Sequence, residues 1–198
     1  NGDEVGDLDT APVLLTNAST SSEVGDYGIS ISGALNSNYL ISYVEGALSV
    51  TPAPLQVTAQ DASRNYGSAN PSFDVVYSGF VLGEGAVDLD LSAAASTVAS
   101  VTSSSGVYPI VAGGASDSNY EVIHIDGTLT IDKALLTISA IDKVKTYGDA
   151  NPNFTYEASG FVNGDDLGDL DTNPVLSTTV TENSFPGDYT INVSGALD

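Results

Sequence analysis

The 198-residue chain has no cysteine, no methionine, no tryptophan, one histidine and only four lysines and arginines. Without cysteine there can be no disulfide, thiolate metal site or cysteine nucleophile, so packing and hydrogen bonding must hold the fold. Because methionine is missing even at position 1, the chain is expected to be a piece of something longer, with any targeting segment outside it. No apolar run approaches the roughly 18–20 residues that cross a bilayer, so a soluble segment without membrane contact is expected. Four basic residues against 26 acidic ones give a formal charge of −22. Such a charge repels nucleic acid and anionic membranes and leaves cations as the natural counterpart. Solubility and repulsion between molecules account for it more simply than divalent-ion binding or adaptation to salt. A hydrophobic fraction of 41% argues against disorder.

What is present is a repeat with a period of 81 residues. Tyr27, Tyr108 and Tyr189 stand in nearly the same local sequence, and the same offset carries Asn38-Tyr39 onto Asn119-Tyr120. It also carries Tyr66-Gly67 onto Tyr147-Gly148, Asn70-Pro71 onto Asn151-Pro152, and Gly79-Phe80 onto Gly160-Phe161. Residues 55–135 form a complete repeat, 1–54 a partial one holding the closing part, and 136–198 a partial one holding the opening part. Tandem modules this small depend on their neighbours for part of their stability, so neighbouring repeats are the first expected partner.

Alternating apolar and polar residues predict a strand at Leu55–Ala59 and its copy Leu136–Ala140, a second strand follows at Phe73–Tyr77 or Phe154–Ala158, and a dominance of Thr, Val, Ile and Tyr between turn signals predicts further strands at Val107–Val111, Tyr120–Ile125 and Thr128–Ile131. The stretch before Asn70-Pro71 reads as turn-rich, because Asn before Pro is biased away from helix and Gly67 can supply φ > 0. Short strands at this spacing predict mainly β modules with antiparallel pairing. One short helix of about two turns per module is expected after Gly2, Gly83 and Gly164, with Asp3 or Asp165 at its N-terminus. The links Thr51–Pro54 and Asp132–Leu135 read as semi-rigid spacers.

The run Lys145-Thr146-Tyr147-Gly148-Asp149-Ala150-Asn151-Pro152, then Phe154-Thr155-Tyr156 and Ser159-Gly160-Phe161, resembles the MBG (mostly β-grasp) repeats of large bacterial surface adhesins. Arg64-Asn65-Tyr66-Gly67-Ser68-Ala69-Asn70-Pro71 is a second copy, and Gly106–Ile110, Ser118–Tyr120 and Gly127–Ile131 are similar to the family's closing half. The resemblance implies tandem β-grasp-like modules with an α+β tendency, arranged as an extended rod. It also implies an extracellular place on the bacterial cell surface and a stalk that projects a distal adhesive domain. In that frame the partial repeats mean either a module permuted relative to the sequence repeat or strands shared between neighbours, and end-to-end self-association follows from the second case. Repeats that themselves bind carbohydrate or a protein partner are the alternative function.

No enzyme is expected. His124 aligns with Tyr43 in an alternating strand, which suits a surface or packing position better than a general base. The serines have no base partner, and Gly113-Gly114 lacks the helix and basic residue of a phosphate cradle. A Lys–Asn crosslink is not expected, because Lys133, Lys143 and Lys145 have no lysine counterparts in the other copies. The repeated tyrosines suit core and corner positions better than sugar platforms. One acid trio recurs three times: Asp3, Asp7, Asp9; Glu84, Asp88, Asp90; and Asp165, Asp169, Asp171. Clustered carboxylates with interleaved glycine can wrap calcium, the one cofactor these residues suggest. The simpler account is a short acidic segment whose first acid caps it and whose central leucine, Leu8, Leu89 or Leu170, reaches the core.

Overall fold

The computed structural model describes residues 4–198, so the candidate Asp3 lies outside the described residues. In chain order the strands are β1 (Val13–Leu15), β2 (Gly25–Ser32), β3 (Gly46–Val50), β4 (Ala53–Ala59), β5 (Ala62–Asn65), β6 (Val75–Ser78) and β7 (Ala94–Ser96). They continue as β8 (Gly106–Gly113), β9 (Tyr120–Ile125), β10 (Gly127–Asp132), β11 (Thr137–Ala140), β12 (Tyr156–Ser159), β13 (Val175–Ser177) and β14 (Asn192–Ser194). The protein is thus mainly β, built from several small sheets, with 3₁₀ turns at Val5–Asp7 and Leu167–Asp169. Two compact units divide it: residues 1–60, 73–96 and 110–127, and residues 61–72, 97–109 and 128–198.

In the first unit β2 lies between β1 and β3, antiparallel to both. A second sheet has the order β6-β4-β9, with β4 antiparallel to β6 and parallel to β9. Period-2 patterning of β4 buries Leu55, Val57 and Ala59 while Gln56 faces solvent. Leu55 and Val57 form a core with Leu89, Ala115 and Tyr120, and Tyr77, Phe80 and Val122 pack against it. Phe80 meets Tyr120 edge-on, with ring centroids 5.6 Å apart, which is a favoured aromatic geometry. Gly79, at φ 119, lies so close to β4 that a Cβ there would collide with the Pro54 carbonyl oxygen.

The second unit pairs β5 with β10 in parallel, β11 with β12 antiparallel, and β13 with β14 antiparallel. Leu129 and Ile131 of β10 are fully or nearly fully buried. The glycine contact recurs here, because a Cβ on Gly160, at φ 109, would strike the Leu135 carbonyl oxygen.

The 81-residue period reappears in the bonding. Isolated bridges join Thr10 to Leu35, Leu91 to Ser116 and Thr172 to Leu197. The hydroxyls of Tyr27, Tyr108 and Tyr189 each donate to the carbonyl four residues upstream, at Glu23, Ser104 and Phe185. These tyrosines therefore pin corners, as the sequence suggests.

Several expectations change. Pairing is not all antiparallel, since β4–β9 and β5–β10 are parallel. Residues 62–65, read as turn-rich, form β5, and Ala53 and Pro54 of the supposed spacer belong to β4. The expected two-turn helix is a single 3₁₀ turn in the first and third repeats and a hydrogen-bonded turn, Asp88 N to Gly85 O, in the middle one. Its N-cap is Glu4 or Asp166 rather than Asp3 or Asp165. It stops after one turn because Leu8 and Leu170 swing to extended backbone, ψ 135 and 133, on the way to the bridging Thr10 and Thr172.

Candidate functional site

The most highly built polar site lies in the second unit, around the Tyr-Gly turn. Strand β5 ends at Asn65, where Tyr66-Gly67 reverses the chain. Ser68 N donates to Asn65 O at 3.1 Å, and Gly67 takes φ 80, the positive φ that a type II turn needs at its third position. The reversal sets Asn70 beside Arg64, whose Nε donates to Asn70 Oδ1 at 2.7 Å. Both side chains then reach the loop after β7. Arg64 Nη2 donates to the Ser100 carbonyl at 2.5 Å, and Asn70 Nδ2 donates to the Ala99 carbonyl at 2.7 Å. Arg64 Nη1 also donates to the Asn65 carbonyl at 3.2 Å.

Arg64 is only 7% exposed. A buried guanidinium costs several kcal/mol unless its donors are satisfied, and here carbonyl dipoles satisfy them. In the third repeat, Lys145 takes the place of Arg64. Its Nζ donates to the Thr181 carbonyl at 2.8 Å and to the Asp149 carbonyl at 3.0 Å, while Asn151 Nδ2 donates to the Val180 carbonyl at 2.8 Å. A cation and an asparagine six residues apart thus clamp the same loop in both copies. Sequence reasoning missed this pair by seeking lysine for lysine, although the 81-residue offset places Arg64 on Lys145.

The candidate acids are placed separately from this clamp. Asp7, Asp88 and Asp169 each accept the backbone N–H three residues earlier, from Glu4, Gly85 and Asp166, at 2.7, 2.8 and 2.7 Å. Asp9 accepts from Ser37 N at 2.8 Å. Asp90 and Asp171 are exposed. Glu84 accepts from the buried Tyr120 hydroxyl at 2.5 Å, and that oxygen in turn accepts from Val81 N at 3.1 Å. Burial, reinforced by the bond to Glu84, raises the Tyr120 pKa above its ordinary value. Asp165 and Asp169 line a cavity of about 310 Å³ whose other polar groups include Lys133 and Tyr66. Among the described residues no three His, Asp or Glu side chains converge in a way that could hold a metal ion. Of the central leucines, Leu89 reaches the core and Leu8 and Leu170 are half-buried. His124 is exposed on β9.

The geometry is that of a fastened turn, repeated. The model of the MBG domain (YGX type) family matches residues 1–49, 55–130 and 136–198. The chain belongs to the MBG domain (YGX type) family. Its Tyr-Gly-x triplets stand at 66–68 and 147–149, in the two turns that carry the clamps. MBG domains occur as repeat segments of bacterial surface proteins. No curated protein and no solved structure matches the chain.

Proposed function

We propose that this MBG chain is a structural spacer of a secreted or surface-anchored bacterial adhesin, a stalk that holds a distal binding domain away from the cell. The observation that carries this reading is the use to which its repeated polar groups are put. The clamp cations and asparagines, the corner tyrosines and the middle acids of the trios all bond to the chain's own backbone. What recurs is thus a means of fastening turns and loops within each repeat, as a load-bearing array requires, and we assign the chain no catalytic role. The charge of −22 fits a dense surface layer in which neighbouring stalks must repel one another.

In this reading the modules are strung out as an extended rod. Small-angle scattering of the 198-residue protein at low concentration tests it. A compact chain of this length would have a radius of gyration of roughly 16 Å. The stalk reading expects a clearly larger value with a long tail in the distance distribution, and a value near the compact one overturns it.

A further inference from the structure

Tension in a tandem array passes along the chain from one repeat to the next, so it falls on the strands where each repeat is entered and left. The complete middle repeat is entered at β4, directly after Thr51-Pro52, and left at β10, directly before Lys133. On one side β4 lies antiparallel to β6, and on the other it lies parallel to β9, the strand that runs on into β10 through Asp126. The parallel ladder has six residue pairs, from Ala53 opposite Tyr120 to Thr58 opposite Ile125. At its start Ala53 N donates to the Asn119 carbonyl at 2.9 Å.

A pull along the array draws β4 by its N-terminal end and β9 by its C-terminal end. In parallel strands these pulls run along the ladder in opposite directions, so its hydrogen bonds are loaded together rather than in turn. A slide of one residue, about 3.3 Å, also exchanges the buried face of a strand for its exposed one. Leu55 and Val57, both 0% exposed, are the side chains that such a slide would drag out of the core. The antiparallel β4–β6 ladder responds differently. The N-terminal end of β4 and the C-terminal end of β6 lie side by side, so pulling them apart opens the pairs one after another, starting from Gln56 and Ser78.

A second parallel ladder stands behind the first. Once β4 is released, the load passes through Gln60-Asp61 to β5, which is parallel to β10 over four residue pairs, from Ala62 opposite Leu129 to Asn65 opposite Asp132. Bonds close both ends of this ladder. Asp61 Oδ1 accepts from Thr128 N at 2.7 Å, and Tyr66 N donates to the Asp132 carbonyl at 2.8 Å. The buried Arg64 belongs to the same strand and ties it to the loop after β7.

We propose that β4–β9 and β5–β10 are tension-bearing clamps, loaded in shear and one after the other, which make the repeat strongest along the direction of the array. That tension acts on the protein in place rests on the spacer reading, whereas the directional strength belongs to the ladders themselves.

Single-molecule pulling of the 198-residue protein tests this, with attachment points set by pairs of cysteines at exposed positions, where no native cysteine competes. Thr51→Cys with Lys133→Cys loads β4–β9 in shear, and Gln60→Cys with Lys133→Cys loads β5–β10 in shear. Thr51→Cys with Ser78→Cys opens β4–β6 from its end. Forced unfolding follows the barrier along the pulled direction rather than equilibrium stability, so the three pairs separate direction from stability within one fold.

At one pulling speed both shear pairs should rupture at several times the force that opens the Thr51–Ser78 pair. A shear pair that yields at the force of the Thr51–Ser78 pair, or below it, would overturn the proposal. A compact shape in small-angle scattering would remove the rod and leave these forces as they are, while equal forces would remove the clamps and leave the rod, so the two readings fail separately.

Discussion

Arg64 places one of the chain's four basic residues in the interior, against the pull of a surface carrying 26 acids. It stays there because three acceptors surround it, the Asn70 amide oxygen and the Asn65 and Ser100 carbonyls, and the fork of a guanidinium offers a separate nitrogen to each where an ammonium has only one. Removing it leaves the Ser100 and Asn65 carbonyls and the Asn70 amide oxygen without their donor. Bonds to a charged donor contribute roughly 1.5–3 kcal/mol, and the part-buried acceptors left without a donor add to the loss. Arg64→Ala should therefore destabilise the protein by about 3 kcal/mol. Arg64→Lys should cost about 1 kcal/mol, since Lys145 does the same task in the third repeat with two donated bonds. Urea unfolding of both variants decides the matter. Equal losses, or an alanine cost below about 0.5 kcal/mol, would mean the clamp contributes little.

Among the elements, those readable in the sequence were the ones whose own side chains declare them. Strands β4 and β10 alternate Leu, Val and Ile with polar residues, β8 and β9 are rich in Val, Ile and Tyr, and each falls within about two residues of its expected bounds. Strand β5, Ala-Ser-Arg-Asn, and β7, Ala-Ala-Ser, have no such signal; their neighbours make them strands. Parallel pairing was equally hidden, because β4 and β9 are joined by register across some 60 residues of intervening chain rather than by a hairpin. The clamp was half visible, as a recurring asparagine and a recurring positive charge whose residue type changes between copies.

Glycine was legible as a turn former but not as a contact. At Gly79 and Gly160 the backbone of the neighbouring strand leaves no room for a Cβ, whereas at Gly148, also at positive φ, nothing lies within 4 Å. Positive φ alone costs an L-residue about 1–2 kcal/mol. Gly148→Ala should lose that much, and Gly79→Ala about 3 kcal/mol or more, because a backbone carbonyl must also move. Equal shifts in the urea midpoint for the two variants would show that φ, not the close approach, sets the cost.

For the whole molecule the charge of −22 dominates any account of its response to ions. Repulsion among 26 acids opposes the compact state, so screening by salt should raise the thermal midpoint. Calcium could act in a second way, by gathering the acid trios Asp7–Asp9, Glu84–Asp90 and Asp165–Asp171 into ion sites. The structure gives their carboxylates other work. Asp7, Asp88 and Asp169 hold backbone N–H groups of their own turns, Asp9 holds Ser37 N, and Glu84 holds the Tyr120 hydroxyl. An ion would have to break those bonds and still find six to eight oxygens. Thermal unfolding in calcium chloride and in sodium chloride at matched ionic strength should therefore give midpoints within about a degree of each other. A further rise of about 5 °C with calcium, reversed by chelator, corresponds to roughly 2 kcal/mol of specific binding and would reassign the trios as structural ion sites.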